Sequence, residues 1–172
     1  MNHPRPSRRP ERLVMDRAGI GYDSHRFADG RPLILGGVAI PAERGLAGHS
    51  DADAVCHAVI DALLGAAGAG DIGTRFPDTD PRWKDARSLD MLRTVVAELG
   101  ASGIRPRHVD VTVILERPKL ADFKLPIAAS LAGALGLHPG SVSLKAKTNE
   151  GMGFVGRGEG IAVLAVATVE GP

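Results

Sequence analysis

"SDADAVCHAVIDALLGAAG", residues 50–68, decides how the chain is read. Its apolar residues are too many and too continuous for an alternating strand, and the run is long enough for four helical turns. We read it as a helix. Ser50 can serve as N-cap, with Asp53 three residues on at the acid position of a capping box, and the glycines after Leu64 end it. Residues four apart share a helical face, so Asp53, His57 and Asp61 line one side. Cys56 sits about 100° around from His57 and reads as a small core residue.

Outward from this helix the periodicity changes. "AGIGYDSH" (18–25) reads as a first strand, and "RPLILGGVAIP" (31–41) as a hairpin turning at Gly36-Gly37. "GDIGTRFPDTDPRWKD" (70–85) is a polar loop. "RSLDMLRTVVAELG" (87–100) is an amphipathic helix with Leu89, Leu92, Val96 and Leu99 along one face. "RHVDVTVILE" (107–116) alternates as a strand, "LPIAASLAGALG" (125–136) is a helix, and "SVSLKAKT" (141–148) is a strand. "GIAVLAVATVE" (160–170) is a near-continuous apolar strand, expected to be buried on both faces. This order predicts an α/β (α+β) sandwich: a mixed sheet with helices packed on one face, in a single domain spanning residues 18–172. Residues 1–17 include "RPSRRPER", lack apolar periodicity and read as a disordered arm.

Composition narrows the function classes. The chain has 172 residues, 44% hydrophobic and 24% charged, which suits a soluble globular protein. A net charge of +1 gives no case for a nucleic-acid partner, and no run approaches the ~20 apolar residues of a membrane helix. One cysteine excludes an internal disulfide and fits a cytoplasmic setting.

Three of the six histidines fall between residues 25 and 57. On a strand Asp23 and His25 point to the same side. If the helix packs on that strand, Asp23, His25 and His57 converge. Two imidazoles and one carboxylate leave a fourth position open, the catalytic pattern for Zn²⁺, and Asp53 or Asp61 could hold the His57 ring from behind. The alternative is that these are surface and capping residues. His49 and Ser50, at the helix start, suit a phosphoryl group, or simply a cap and a solvated imidazole. "GMGFVG" (151–156) matches G-x-G-x-x-G, but a strand follows it where the dinucleotide fingerprint requires a helix, so a nicotinamide site is rejected. Lys147, Thr148 and Glu150 offer a cation, a hydroxyl and a hard oxygen ligand, suited to a diphosphate with a divalent ion, or lie in a flexible hairpin loop.

Taken together, "GYDSH", "HSDADAVCHAVIDALLGAAGAGDIG", "FPDTDP", "ERPKL" and "TNEGMGFVGRGEGIA" resemble the 2-C-methyl-D-erythritol 2,4-cyclodiphosphate synthases of the non-mevalonate isoprenoid pathway, from about Gly19 to the C-terminus. The resemblance implies a homotrimer with active sites between subunits. It implies one Zn²⁺ per subunit on Asp23, His25 and His57, and Mg²⁺ or Mn²⁺ held by Glu150 with the substrate diphosphate. It implies a phosphorus–oxygen lyase that converts 4-diphosphocytidyl-2-C-methyl-D-erythritol 2-phosphate to the cyclic diphosphate and CMP. His49, with Ser50, matches the pair that contacts the 2-phosphate and methylerythritol end, Thr148 and Glu150 match the diphosphate contacts, and His49 and Thr148 are expected as the catalytic residues that stabilise the in-line geometry. Ser50, Asp71, Ile72 and Gly73 match contacts to the methylerythritol end, and Phe76, Pro77, Asp78, Thr79 and Asp80 match the family's mobile substrate-binding "FPDTD" segment. Leu115, Pro118, Lys119, Leu120 and Ala121 match the cytidine pocket, and Lys147 and Asn149 flank the diphosphate contacts. Those two depart from the Thr or Ser that the family often carries. Phe154 and Arg157 match positions in the central cavity of the trimer.

Overall fold

Strand β1 (Met15–Ala28) supplies the frame on which the rest is built. The structure, a computed structural model, describes residues 15–172. β1 pairs antiparallel with β7 (Gly160–Gly171) from Met15↔Gly171 to Arg26↔Gly160. β7 pairs antiparallel with β5 (Arg105–Ile114), and β5 pairs parallel with β6 (Val142–Lys147). A parallel pair needs a crossover, and α4 (Lys124–Leu135) provides it. The short strand β4 (Gly45–Leu46) extends the end of β1, so the sheet order is β4-β1-β7-β5-β6. β2 (Leu33–Leu35) and β3 (Val38–Ile40) form a separate hairpin. Its turn residues Gly36 and Gly37 have φ of 58° and 76°, the left-handed pair that a two-residue hairpin turn requires.

The helices α1 (Ala54–Ala67), α3 (Ser88–Ala101) and α4 cover one face of the sheet. Between α1 and α3 lies the single turn α2 (Ile72–Arg75), and between β6 and β7 the single turn α5 (Gly153–Gly156). The expected mixed sheet with helices on one face is therefore present in one domain. Val109, Val111 and Val113 of β5 and Ile161, Val163, Ala165, Ala167 and Val169 of β7 point into the core. On α3 it is Val95, rather than Val96, that is fully buried with Leu89, Leu92 and Leu99.

α1 crosses β1 at unusually short range. A Cβ built on Gly21 would lie 1.9 Å from the carbonyl oxygen of Ala58, and one on Gly19 would lie 2.2 Å from that of Ala62. Two side-chain-free positions on the strand thus face alanines on the helix, and the backbones touch.

Three expectations are corrected. The N-cap of α1 is Asp53, not Ser50: its carboxylate accepts from Val55 N and Cys56 N, both at 3.1 Å. The reason is local, because Ala52 has φ of 57° and turns the chain just before the helix. Asp53 also accepts from Gly36 N (2.8 Å) and Gly37 N (2.6 Å), which ties the hairpin turn to the helix start. Secondly, β7 is not buried on both faces. Leu164 and Val166 remain 37% and 43% exposed on the face that no helix covers, opposite Tyr22 and Ile20 of β1. Finally, residues 15–17 of the proposed arm are paired in β1, while residues 1–14 lie outside the described residues.

The backbone contact makes a sharp prediction. Gly21→Val forces the helix off the strand and should cost about 3 kcal/mol or more, the upper end of overpacking. That corresponds to a fall in Tm of roughly 6–12 °C for a chain of this size. Gly100→Ala, at a helical site with open space around it, should leave Tm unchanged or raise it. Equal melting of Gly21→Val and wild type would refute the close-contact reading.

Candidate metal centre and substrate site

His57 precedes Ala58, the α1 residue in contact with Gly21, and it meets Asp23 and His25. Asp23 Oδ2 lies 2.9 Å from His25 Nε2 and 3.1 Å from His57 Nδ1, and the two imidazole nitrogens are 3.2 Å apart. Donor atoms around a tetrahedral Zn²⁺ at 2.0–2.1 Å stand about 3.3 Å from one another. The observed triangle is that size to within a few tenths of an ångström. All three residues are part-buried, and His25 also lines a cleft of ≈ 630 Å³.

The protons support the same reading. His25 Nδ1 lies 2.6 Å from the carbonyl oxygen of Ala47, which can only accept, so Nδ1 carries the hydrogen and Nε2 presents a lone pair to Asp23. Lone pairs facing a carboxylate at this range need a cation among them. Without a metal a proton takes that role. Burial alone would push the Asp23 carboxyl up, but hydrogen bonds from His25 and His57 hold it well below the usual carboxylate range. Burial opposes the charge on His25 as well, yet its hydrogen bond to Asp23 raises it. The donor set, its spacing and this stored preference for positive charge all fit a divalent ion.

Neither Asp53 nor Asp61 holds the His57 ring, contrary to expectation. Asp53 is fully buried in its capping role, and burial raises its carboxyl. Asp61 accepts from Ile72 N at 2.7 Å. The ring instead meets Ser88 Oγ at 2.9 Å and Ser50 Oγ at 3.2 Å from Nε2. Ser88 escaped the sequence reading because it lies 31 residues away and looked like an ordinary helix start. Cys56 is fully buried, and burial raises its thiol well above the ordinary value, in keeping with a core residue.

The surrounding loops are pinned from several directions. Arg31 donates to the carbonyls of Ser50 (2.6 Å) and Gly48 (3.3 Å), the residues on either side of His49. His49 Nε2 lies 3.3 Å from Asp80 O, so "FPDTD" and the His49 turn meet. Phe76 is buried edge-on against Trp83, with ring centroids 4.8 Å apart, and anchors that segment rather than lining an open site. Pro77, Asp78 and Thr79 carry the loop across to Asp80, which caps a 3-10 turn and pairs with Arg82. Asp71 caps α2 through Thr74 N, while Ile72 and Gly73 sit on that turn. Ser50 faces Ser88 and His57 and is buried.

At the far edge of the sheet a second group gathers. Glu116 Oε1 accepts from Asn149 N (2.8 Å) and Gly151 N (3.3 Å), joining "ERPKL" to "TNEG". Thr148 Oγ1 donates to Glu150 Oε1 at 2.5 Å, and the Asn149 side chain closes the turn on Met152 O. Lys147 is exposed. Pro118 and Lys119 line a cleft of ≈ 660 Å³ with Arg117, Arg44 and Phe27, whereas Leu115 and Leu120 are buried and Ala121 is exposed. Phe154 shares the cleft of ≈ 630 Å³ with His25, and Arg157 pairs with Glu159 at 2.6 Å.

Comparison with known proteins gives these loops their context. Residues 16–170 match the YgbB family. The chain belongs to this family. Among YgbB relatives, the 2-C-methyl-D-erythritol 2,4-cyclodiphosphate synthase of Symbiobacterium thermophilum is 58% identical over 153 residues, 89% of this chain and 98% of that protein. The synthase of Salinibacter ruber is 56% identical over 154 residues, 90% and 98% of the two chains. A solved structure of such a synthase in a CDP-bound form superposes with a TM-score of 0.81 at 41% identity, covering 88% of this chain and 98% of that one. The resemblance drawn from the motifs is thereby borne out.

Asp61 offers a test of how the YgbB loops are held. Asp61→Ala should speed hydrogen exchange of the Ile72 amide at least tenfold while leaving metal affinity as in wild type. Unchanged protection at Ile72 would contradict the pinning.

Proposed function

We propose that the chain converts 4-diphosphocytidyl-2-C-methyl-D-erythritol 2-phosphate to 2-C-methyl-D-erythritol 2,4-cyclodiphosphate and CMP. One observation carries this reading: in a chain of this family, the Asp23, His25 and His57 donor atoms form a metal-sized triangle of part-buried residues. Zn²⁺ is the ion that this donor set suits best. When bound, it supplies Lewis acidity to a phosphate oxygen. Glu150 would hold the Mg²⁺ or Mn²⁺ that accompanies the diphosphate.

In the reaction an oxygen of the 2-phosphate attacks the β-phosphorus, a new P–O bond closes the ring, and the bond from that phosphorus to the bridging oxygen breaks. The electron pair leaves with CMP. Such a transfer depends on positioning and charge more than on a protein nucleophile. His49, fixed by Arg31 and by the Asp80 carbonyl, aims its imidazole at the phosphoryl region. Thr148 directs its hydroxyl beside Glu150 to steady the diphosphate. Asp71, Ile72 and Gly73 receive the methylerythritol end. The cleft beside Pro118 and Lys119 accepts the cytidine.

We further propose that the working unit is a homotrimer. Asp23, Val163, Val113 and Ala146 are level across β1, β7, β5 and β6. Three strand spacings separate Asp23 from the strand leading to Thr148, about 14 Å. A single diphosphate does not span that distance within one chain, which supports a site completed by Thr148 and Glu150 of a neighbouring copy. The uncovered patch of Ile20, Tyr22, Leu164 and Val166 is apolar enough to bury against such neighbours. No described helix is long and apolar enough to cross a membrane, and the single cysteine suits a cytoplasmic enzyme.

Phosphorus NMR of the protein with substrate, Zn²⁺ and Mg²⁺ tests the proposal. CMP and a cyclic diphosphate are expected; CMP with only linear phosphates would identify a hydrolase instead. His57→Ala should lose zinc and turnover together. Glu150→Gln should keep fold and zinc while losing most turnover, and an unchanged rate at limiting Mg²⁺ would remove Glu150 from the mechanism.

A further inference from the structure

The back of the metal centre holds a chain of polar groups running from His57 through Ser88 to Asp51. His57 Nε2 meets Ser88 Oγ at 2.9 Å, and Ser88 Oγ is in short hydrogen-bonded contact with Asp51 Oδ1. The same Asp51 oxygen accepts from Ser88 N at 3.1 Å and from Asp53 N at 3.3 Å. Ser88 is fully buried, so water does not compete for its hydroxyl. Ser50 Oγ closes the group, 3.2 Å from both Ser88 Oγ and His57 Nε2, and accepts from Ala52 N.

The directions of these bonds follow from chemistry. A carboxylate only accepts, so the single hydroxyl proton of Ser88 goes to Asp51. Ser88 Oγ then has only lone pairs left for His57, and Nε2 must carry the ring hydrogen. Nδ1 is left with its lone pair, and Nδ1 is the atom 3.1 Å from Asp23 Oδ2 and 3.2 Å from His25 Nε2. We propose that Asp51, acting through Ser88, is the positioning pair for His57, fixing the tautomer and ring plane that present Nδ1 to the metal. Without this pair the ring could place its hydrogen on Nδ1 and close the third ligand position. His25 has its counterpart in the Ala47 carbonyl, so both imidazoles are oriented from behind, one by backbone and one by a carboxylate relayed through a hydroxyl.

The inference rests on the metal reading above, and two measurements separate its failure from the failure of that reading. In chelator competition for Zn²⁺, Ser88→Ala should bind about ten- to a hundredfold more weakly than wild type. Ser88→Thr, which keeps the hydroxyl, should recover most of the loss. Nitrogen-15 NMR of histidine-labelled, zinc-loaded wild-type protein should show His57 protonated at Nε2 and coordinated at Nδ1. If wild type binds Zn²⁺ stoichiometrically but Ser88→Ala matches it, or if Nε2 proves to be the ligating atom, the positioning role is overturned and the metal site stands. Should wild type and His57→Ala both fail to bind Zn²⁺, the metal site and the positioning role fall together.

Discussion

Contact between the backbone of α1 and the backbone of β1 is the constraint on which the site depends. Gly19 and Gly21 remove the side chains that would separate the two elements, and Ala58, Ala62 and Ala66 keep the helix side narrow. With ordinary side chains the elements would stand apart by several further ångströms, and His57 could not approach Asp23 within 3.1 Å. The same helix then reaches outward with Asp61 to fix the Ile72 turn. One close crossing thus sets the distance from strand to metal ligand and from metal ligand to substrate loop.

Polar burial at the helix start is the counterpart of this tight packing. Asp53 is fully buried, a location that disfavours its charge, yet it satisfies four backbone N–H groups from the helix and the Gly36-Gly37 turn. Each of those donors would cost about 1–3 kcal/mol if left unpaired in the core. Burial still raises the carboxyl despite those bonds, and the residue holds the hairpin, the helix and the approach to His57 together. Around it, the Ser50–Asp51–Ala52 turn accepts a left-handed Ala52, a conformation costing of order 1 kcal/mol.

Much of this was legible in the sequence, and the losses have physical causes. Strand alternation and helical periodicity located the sheet, the hairpin and three helices, and the same periodicities let Asp23, His25 and His57 converge on the condition that α1 packs on β1, which it does. Ser50 was misread as the cap because composition favours Ser there, while the left-handed Ala52 that displaces it leaves no mark on a one-dimensional pattern. Ser88 and Asp51 stayed hidden because their partnership spans 37 residues and depends on where α3 docks. Glu116 joins two loops 33 residues apart for the same reason. The apolar run of β7 suggested burial on both sides, since a run of Val, Leu and Ala does not record whether the second covering layer is a helix of the same chain.

β1 has a further consequence for how such a chain can change over generations. Its odd-numbered positions carry Gly19, Gly21, Asp23 and His25 toward the helices, and its even-numbered positions carry Ile20 and Tyr22 outward. Substitutions at even and odd positions therefore act on opposite faces of the sheet, the odd ones on the helix packing and the ligand triangle, the even ones on the apolar outer patch. Insertion or deletion of one residue inverts both sets at once. Its letters are constrained face by face, its length as a whole.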